Sequence, residues 1–338
     1  MDRQLRFGHL AHLTTSSGLF EHALRTEPRV EHGMCVDDVA RALVVTSRTL
    51  DHTRALMTMT STYLAFLRDA QRAGGLMHNR RTAVGAWVDM PSAADHWGRA
   101  LWAFGTAAAR CPDPLLAAEA LRGAELAMVA RSVHPRACAY AALGAAQVLL
   151  VAPEHQEARK LLGDVGDTLR LARHERSWPW PYGRLTYGNA VIPEAMIAIG
   201  EALGDAGLRH DGLALLDWLV EEQTVDEHLS VVPAGGRSPG DPRPAFDQQP
   251  IEVAALAEAC RTAFNATGDE RWAVVLDRCI AWFEGVNDSR LPMRDAATGA
   301  GYDGLEDGSV NQNQGAESTL AWLETLQAAL IDSPVAAR

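Results

Sequence analysis

The sequence predicts an all-α fold in which about twelve helices pair into hairpins and the hairpins close into a ring. Three observations predict it. Apolar residues recur at helical spacing along most of the 338-residue chain. Short and long connections alternate between those segments. Five of the junctions place acids or amides at the start of an alanine-rich apolar helix: CVDDVARAL at 35–43, ADHWGRALWA at 94–103, TYGNAVIPEA at 186–195, FDQQPIEVAA at 246–255 and NQNQGAESTL at 311–320.

The helical spacing marks segments at roughly 36–51, 52–70, 94–110, 113–131, 135–150, 154–174, 190–204, 207–223, 249–266, 269–284 and 314–331, with a shorter one around 9–25. Links near 51, 112, 152, 205 and 267 are only a few residues long and make helical hairpins. Those near 26–35, 71–93, 175–189, 224–248 and 285–313 are long and rich in Gly, Pro, Trp and Asp, with 132–134 as the one short exception. Long loops in a compact domain are usually functional. If the hairpins close, all of them fall on one face. Small residues in ARALVV (40–45), AYAALGAA (139–146) and AALAEA (254–259) suit closely packed inner helices. The more charged segments 154–174 and 207–223 suit an outer layer. Strand signals are confined to loops, at 229–233 and 85–89. The repeat period is about 50 residues, as in repeat and closed-ring architectures. With no low-complexity segment and no linker between halves, one domain over 1–338 is expected.

Composition limits the partners. Hydrophobic residues make up 47% of the chain, enough for a sizeable core. The net charge of −12 argues against nucleic acid and against anionic membrane surfaces. Five cysteines with no close pairing suggest a reducing, cytoplasmic setting. The start, MDRQLRFGHL, has no apolar leader, and no window approaches 18 uninterrupted apolar residues.

The candidate chemistry lies at the helix starts. Asp38 and Glu317 are the leading candidate catalytic carboxylates, with Asp37, Asp95 and Asp247 as competitors and Glu194 and Glu252 just inside two further helices. Any one of these has an ordinary explanation as a helix cap or dipole partner. Five such junctions on one face point further. Two carboxylates at controlled separation are what glycosidic cleavage requires, one donating a proton to the leaving oxygen and one acting opposite it. Aromatic faces suit sugar rings. Trp178, Trp180, Tyr182 and Tyr187 cluster beside Arg184, and Trp97 and Phe246 lie at other junctions. Asn189, Gln248, Gln249, Asn313 and Gln314 would bond hydroxyls. The simpler reading of Trp178 and Trp180 is that they wedge the loop in place. His96, beside Asp95, is a further binding candidate. No P-loop, dinucleotide fingerprint, nucleophile elbow or HExxH is present, and no metal or other cofactor is called for. The acids at 303–307 do not match an EF-hand loop.

These segments also carry a resemblance. GLFEHA (18–23) with HGMCVDDVARAL (32–43), DHWGRALW (95–102), WPW (178–180) with LTYGNA (185–190), FDQQPIE (246–252) and NQNQGAEST (311–319) resemble a bacterial family of the six-hairpin glycosidase superfamily, often attached to or beside glycosyltransferases. Two positions depart from its pattern: Val39 where Asn more often follows the Asp pair, and Gln312 where Glu is common. The resemblance implies an (α/α)6 barrel with a carbohydrate pocket at its mouth. The expected function is a glycoside hydrolase or phosphorylase acting on an oligosaccharide, with a glycosyltransferase as partner. The alternatives are a sugar epimerase or isomerase using His96 or His78, and a non-catalytic glycan-binding module.

Overall fold

The computed structural model describes residues 4–50, 52–171 and 177–330. Twelve α-helices occur among them: α1 (Gly8–Leu13), α2 (Val36–Arg48), α3 (Arg54–Ala70), α4 (Asp95–Arg110), α5 (Pro114–Ala127), α6 (Pro135–Val151), α7 (Gln156–Leu171), α8 (Val191–Leu203), α9 (Ala206–Glu222), α10 (Pro250–Thr267), α11 (Arg271–Phe283) and α12 (Ala316–Leu330). Eleven stand within a few residues of their expected bounds.

The even-numbered helices form the inner ring. Each touches the next, α2 to α4, α6, α8, α10 and α12, and α12 returns to α2. Helices α3, α5, α7, α9 and α11 back onto their hairpin partners, and α1 backs onto α12. Burial separates the layers. In α4 every residue from His96 to Ala108 is buried, whereas α5 buries only Ala120, Gly123, Ala124 and Ala127. Small residues set the inner spacing. A Cβ on Gly98, Gly105 or Gly144 would lie 2.2, 2.1 or 2.3 Å from a backbone oxygen of the facing helix, so α4 and α6 meet backbone to backbone. Left-handed Gly204 and Gly268 end α8 and α10, where a side chain would strain the turn.

Because every connection into an inner helix after α1 begins at the same end of an outer one, all inner N-termini share one face. The loops there are laced together by short antiparallel pairs. These are β1 (Thr14–Thr15) with β2 (Gly18–Leu19), β3 (Ala23–Leu24) with β4 (Glu27–Pro28), β5 (Met34–Cys35) with β6 (Arg80–Arg81), β7 (Thr224–Val225) with β8 (His228–Leu229), and β9 (Gly304–Glu306) with β10 (Ser309–Asn311). In the β5–β6 pair Cys35 stands opposite Arg80, joining two loops. Single bridges join Leu185 to Arg237 and Gln248 to Leu305.

Two local expectations are corrected. The segment 9–25 is not one helix. It turns helical only to Leu13, then folds into the β1–β2 and β3–β4 hairpins. β-Branched Thr14 and Thr15, followed by Gly18 and by Arg25 at φ 53°, favour hairpins over a continued helix. The strand expected at 229–233 begins earlier, in a hairpin whose turn residues Asp226 and Glu227 both have positive φ, 45° and 71°. At 85–89 only Trp87 pairs, opposite Arg81. Among the described residues no helix is long and apolar enough to cross a membrane.

Candidate active site at the mouth of the ring

Three outer helices, α3, α5 and α9, are capped by side chains: Thr53 accepts from Leu56 N, Asp113 from Leu115 N and Leu116 N, and Asp205 from Leu208 N, whereas the outer helices α1 and α11 have no such cap. The inner helices α2, α4, α6, α8 and α10 have no side-chain cap. Acids in the first turn still gain from the helix dipole. The oxygen atoms of Asp37, Asp95 and Glu317, however, meet side chains of other elements, and those of Asp38 meet Arg41 and Cys35 of its own helix and cap.

At the start of α2, Asp37 receives Arg99 of α4 at 2.5 Å and the amide of Asn79 at 3.0 Å. Burial pushes its carboxyl up, but Arg99 and Arg41 outweigh burial and hold it below the usual range. Its neighbour Asp38 accepts from Arg41 at 2.5 Å and from the Cys35 thiol at 3.2 Å. Here burial wins over Arg41, and with Glu317 and Glu21 nearby the carboxyl is pushed up to about 7. The other fork of Arg41 reaches Glu317 of α12 at 2.8 Å, so one guanidinium bridges two acids 279 positions apart in sequence. Side-chain exposure differs sharply among the three acids: 39% for Glu317, 20% for Asp37 and 4% for Asp38. Arg99 also lies over the Tyr140 ring of α6, 4.9 Å from its centroid.

The other side of the mouth is built from the 177–190 loop. The hydroxyl of Tyr187 donates to Asp95 at 2.6 Å, and the guanidinium of Arg136 lies 4.2 Å above the Tyr187 ring. Buried Glu252 receives Asn189 Nδ2 at 2.8 Å and the Gly188 amide. Burial pushes it up to about 7 in spite of those bonds.

Below the mouth the axis is filled by a second charged layer. Arg48 grips both oxygens of Glu258 at 2.7 and 2.8 Å, and Glu194 accepts from Thr262 at 3.1 Å. Burial, then Glu258, pushes Glu194 and Glu324 up to about 8. Arg41, Tyr140, Glu194, Glu258 and Glu324 line a space of about 20 Å³, room for about one water. Glu194 therefore belongs to the interior of the ring.

Several candidates hold the loops instead of facing the mouth. Trp97 is 1% exposed and donates to Ala127 O. Trp178 and Trp180 pack against Trp218 of α9 and donate to Tyr182 O and Arg184 O, which wedges their loop onto the outer layer. Tyr182 is half-buried beside Trp180, and Arg184 binds Gly235 O at 3.0 Å. His96 Nε2 reaches Met77 O at 2.9 Å, and His78 Nδ1 reaches Asp89 O at 2.7 Å. Gln248 donates to Asp288 at 2.6 Å, and Asn313 accepts from Arg25 N at 3.0 Å. Gln314 is pinned through its main chain to Arg25 and His9. Gln249 occupies the start of α10 and partly buried Phe246 packs on the core. Asp247 is exposed, and its partial burial with Glu306 and Asp303 nearby raises its carboxyl.

Arg41, Arg99 and Arg136 organise the mouth, and the sequence reading passed over them. A signal was present. Arg41 follows Asp38 by three residues and Arg99 follows Asp95 by four, so each projects on the same helix face as an acid. One ligand-type cluster occurs among the described residues, where Glu21, Cys35 and Asp38 bring such atoms within 4.8 Å of one another. Burial first, then Asp38, raises the Cys35 thiol far above its ordinary value.

No family model matches the chain, and no curated protein matches it. Among solved structures, a sugar epimerase from a ruminal bacterium superposes with a TM-score of 0.70 at 13% identity, covering 97% of this chain and 96% of that one. The cellobiose 2-epimerase from Bacillus thermoamylovorans B4167 gives 0.69 at 12%, covering 94% and 95%. The C. cellulolyticum cellulase Cel9M gives 0.62 at 8%, covering 93% and 87%. The fold is an (α/α)6 barrel. Its mouth, where the six inner helices begin, carries the acid–guanidinium cluster, and the barrel wall holds the second charged layer beneath it.

Proposed function

We propose that this barrel is a carbohydrate-active enzyme that cleaves an oligosaccharide by hydrolysis or phosphorolysis. The observation that carries the reading is the use of the inner-helix acids. They do not cap their own helices but are gathered at the mouth by Arg41 and Arg99. Exposure sorts them. Glu317 and Asp37 reach solvent and form the reacting pair, with Asp37 in the ionised role because Arg99 holds it there. Asp38 stands behind them and positions Arg41. Asp95, held by Tyr187, lines the opposite wall. The partner this reading calls for is a glycosyltransferase handling the same glycan, and five free thiols support a reducing, cytoplasmic setting.

The test is a glycan panel, run with and without phosphate and read by product anomer. On a turned-over substrate, Glu317→Gln and Asp37→Asn should each lower kcat by about 10²–10⁴-fold. Asp38→Asn should lose less and move the pH profile. Full activity in both folded variants, Glu317→Gln and Asp37→Asn, ends the assignment. An epimerase would instead incorporate solvent deuterium into an uncleaved sugar. Structures of the same fold include sugar epimerases as well as a cellulase, so the fold supports this second reading equally.

A further inference from the structure

Helix α6 breaks the pattern of the inner ring. Its first turn carries no acid, and His134 at its start makes no side-chain cap. In the place of an acid stands Arg136. The other guanidiniums of the mouth are matched to carboxylates: Arg41 to Asp38 and Glu317, Arg99 to Asp37, Arg80 to Glu21. Among the described residues no carboxylate oxygen lies within 4.0 Å of an Arg136 nitrogen. Its partners are neutral. One terminal nitrogen donates to the Thr186 hydroxyl, the plane stacks on Tyr187 at 4.2 Å, and the buried Nε has no hydrogen-bond partner. The acids nearest to it are engaged elsewhere. Asp95 takes the Tyr187 hydroxyl, and Glu252 takes Asn189 and the Gly188 amide.

The surroundings leave this cation reachable. The α5–α6 link is the short one of the mouth, so the rim is lowest beside Arg136, and Val133 in that link is 90% exposed. A half-buried guanidinium with no direct ion pair is costly to keep. Its planar fork fits a carboxylate or phosphate with two parallel bonds, and stacking on Tyr187 fixes that plane in advance. The uncapped start of α6, with its positive dipole end, favours the same sign of charge.

We propose that Arg136, with Thr186 and Tyr187, forms an anion subsite of the mouth that receives an oxyanion of the reacting partner. The group is the carboxylate of an acidic sugar or an inorganic phosphate. This rests on the glycan reading and deepens it: a carboxylate makes the substrate a uronic-acid oligosaccharide, and phosphate makes the reaction phosphorolytic.

The test is calorimetry on the full chain with three probes: inorganic phosphate, an oligogalacturonide and a neutral cello-oligosaccharide. Arg136→Met and Arg136→Lys are compared with wild type, each checked for folding by circular dichroism. Wild type should bind phosphate or the oligogalacturonide, and which of the two it binds separates the sources. Arg136→Met should weaken that binding at least tenfold. Arg136→Lys should recover part of it, since the charge returns without the fork. Neutral oligosaccharide binding should not change. If wild type binds the neutral oligosaccharide and neither anion, the subsite is refuted while the glycan reading stands. If Arg136→Met binds the anion as well as wild type does, the subsite is refuted outright. If wild type binds none of the three, the subsite is refuted too, and the turnover screen alone judges the glycan reading.

Discussion

Replacing Arg41 by Met keeps an unbranched apolar stem and removes the guanidinium that joins α2 to α12. Two carboxylates lose a partner, and they are not equivalent. Glu317 is 39% exposed and can turn to water, so its loss is small. Asp38 is 4% exposed and cannot. Removing one partner of a buried pair costs about 3–5 kcal/mol while the survivor stays ionised. Asp38 can escape by taking a proton, which makes the cost depend on pH. Its folded value of about 7 lies above its ordinary 3.8. Between those values the folded chain binds the extra proton, so stability falls as pH rises through that window. Arg41 is the strongest influence holding the folded value down, after burial has raised it. Without Arg41 the window extends above 7, so the fall continues further and its total is larger. Urea unfolding should therefore show Arg41→Met costing about 1–2 kcal/mol at pH 5, from lost packing and hydrogen bonds. At pH 8.5 it should cost about 3–5 kcal/mol. The double variant Arg41→Met with Asp38→Asn should regain most of the alkaline loss. An equal loss at both pH values, or no recovery in the double variant, would refute the account.

Two further outcomes follow from the interior. Glu324→Gln removes a carboxyl whose folded value, about 8, stands far above its ordinary 4.5. That gap sets a ceiling of roughly 5 kcal/mol. The variant should be close to neutral at pH 5, where Glu324 is already protonated, and about 2–3 kcal/mol more stable than wild type at pH 9. Thermal unfolding at the two pH values checks this. Gly144→Ala should cost about 1–3 kcal/mol or more, because the new Cβ meets Leu101 O at 2.3 Å. Gly163→Ala on α7, with nothing within 4 Å, should instead stabilise by about 0.5–1 kcal/mol, which separates crowding from helix propensity.

The helices were readable because each satisfies a local rule. Pro114, Pro135 and Pro250 open α5, α6 and α10 at positions where a missing N–H costs nothing. The alternation of loop lengths then placed every inner start on one face. What local rules miss is pairing across the ring. Asp38 and Glu317 could be singled out by type and position, but their common partner Arg41 sits mid-pattern in an apolar helix and looked like part of it. Trp178 and Trp180 misled in the opposite direction. An aromatic cluster in a loop suits a sugar platform or a wedge equally well, and only the position of Trp218 on α9 decides for the wedge. The sixth outer helix was overextended because hydrophobic spacing at 9–25 serves two hairpins as well as a helix.

The pairing of α1 with α12 has a temporal consequence. Five of the hairpins can form from neighbouring stretches as the polypeptide emerges. The sixth joins segments from opposite ends of the described residues. Until α12 is made, the flanks of α2 and α10 that it covers remain open to water. The Arg41 bridge to Glu317, spanning 276 positions, is likewise absent. A chain synthesised only as far as α11 would leave one apolar seam uncovered, the kind of exposed surface that invites mispairing with a second nascent copy. The last helix does two things at once: it seals that seam and delivers the acid that completes the mouth. An incompletely synthesised chain would lack both.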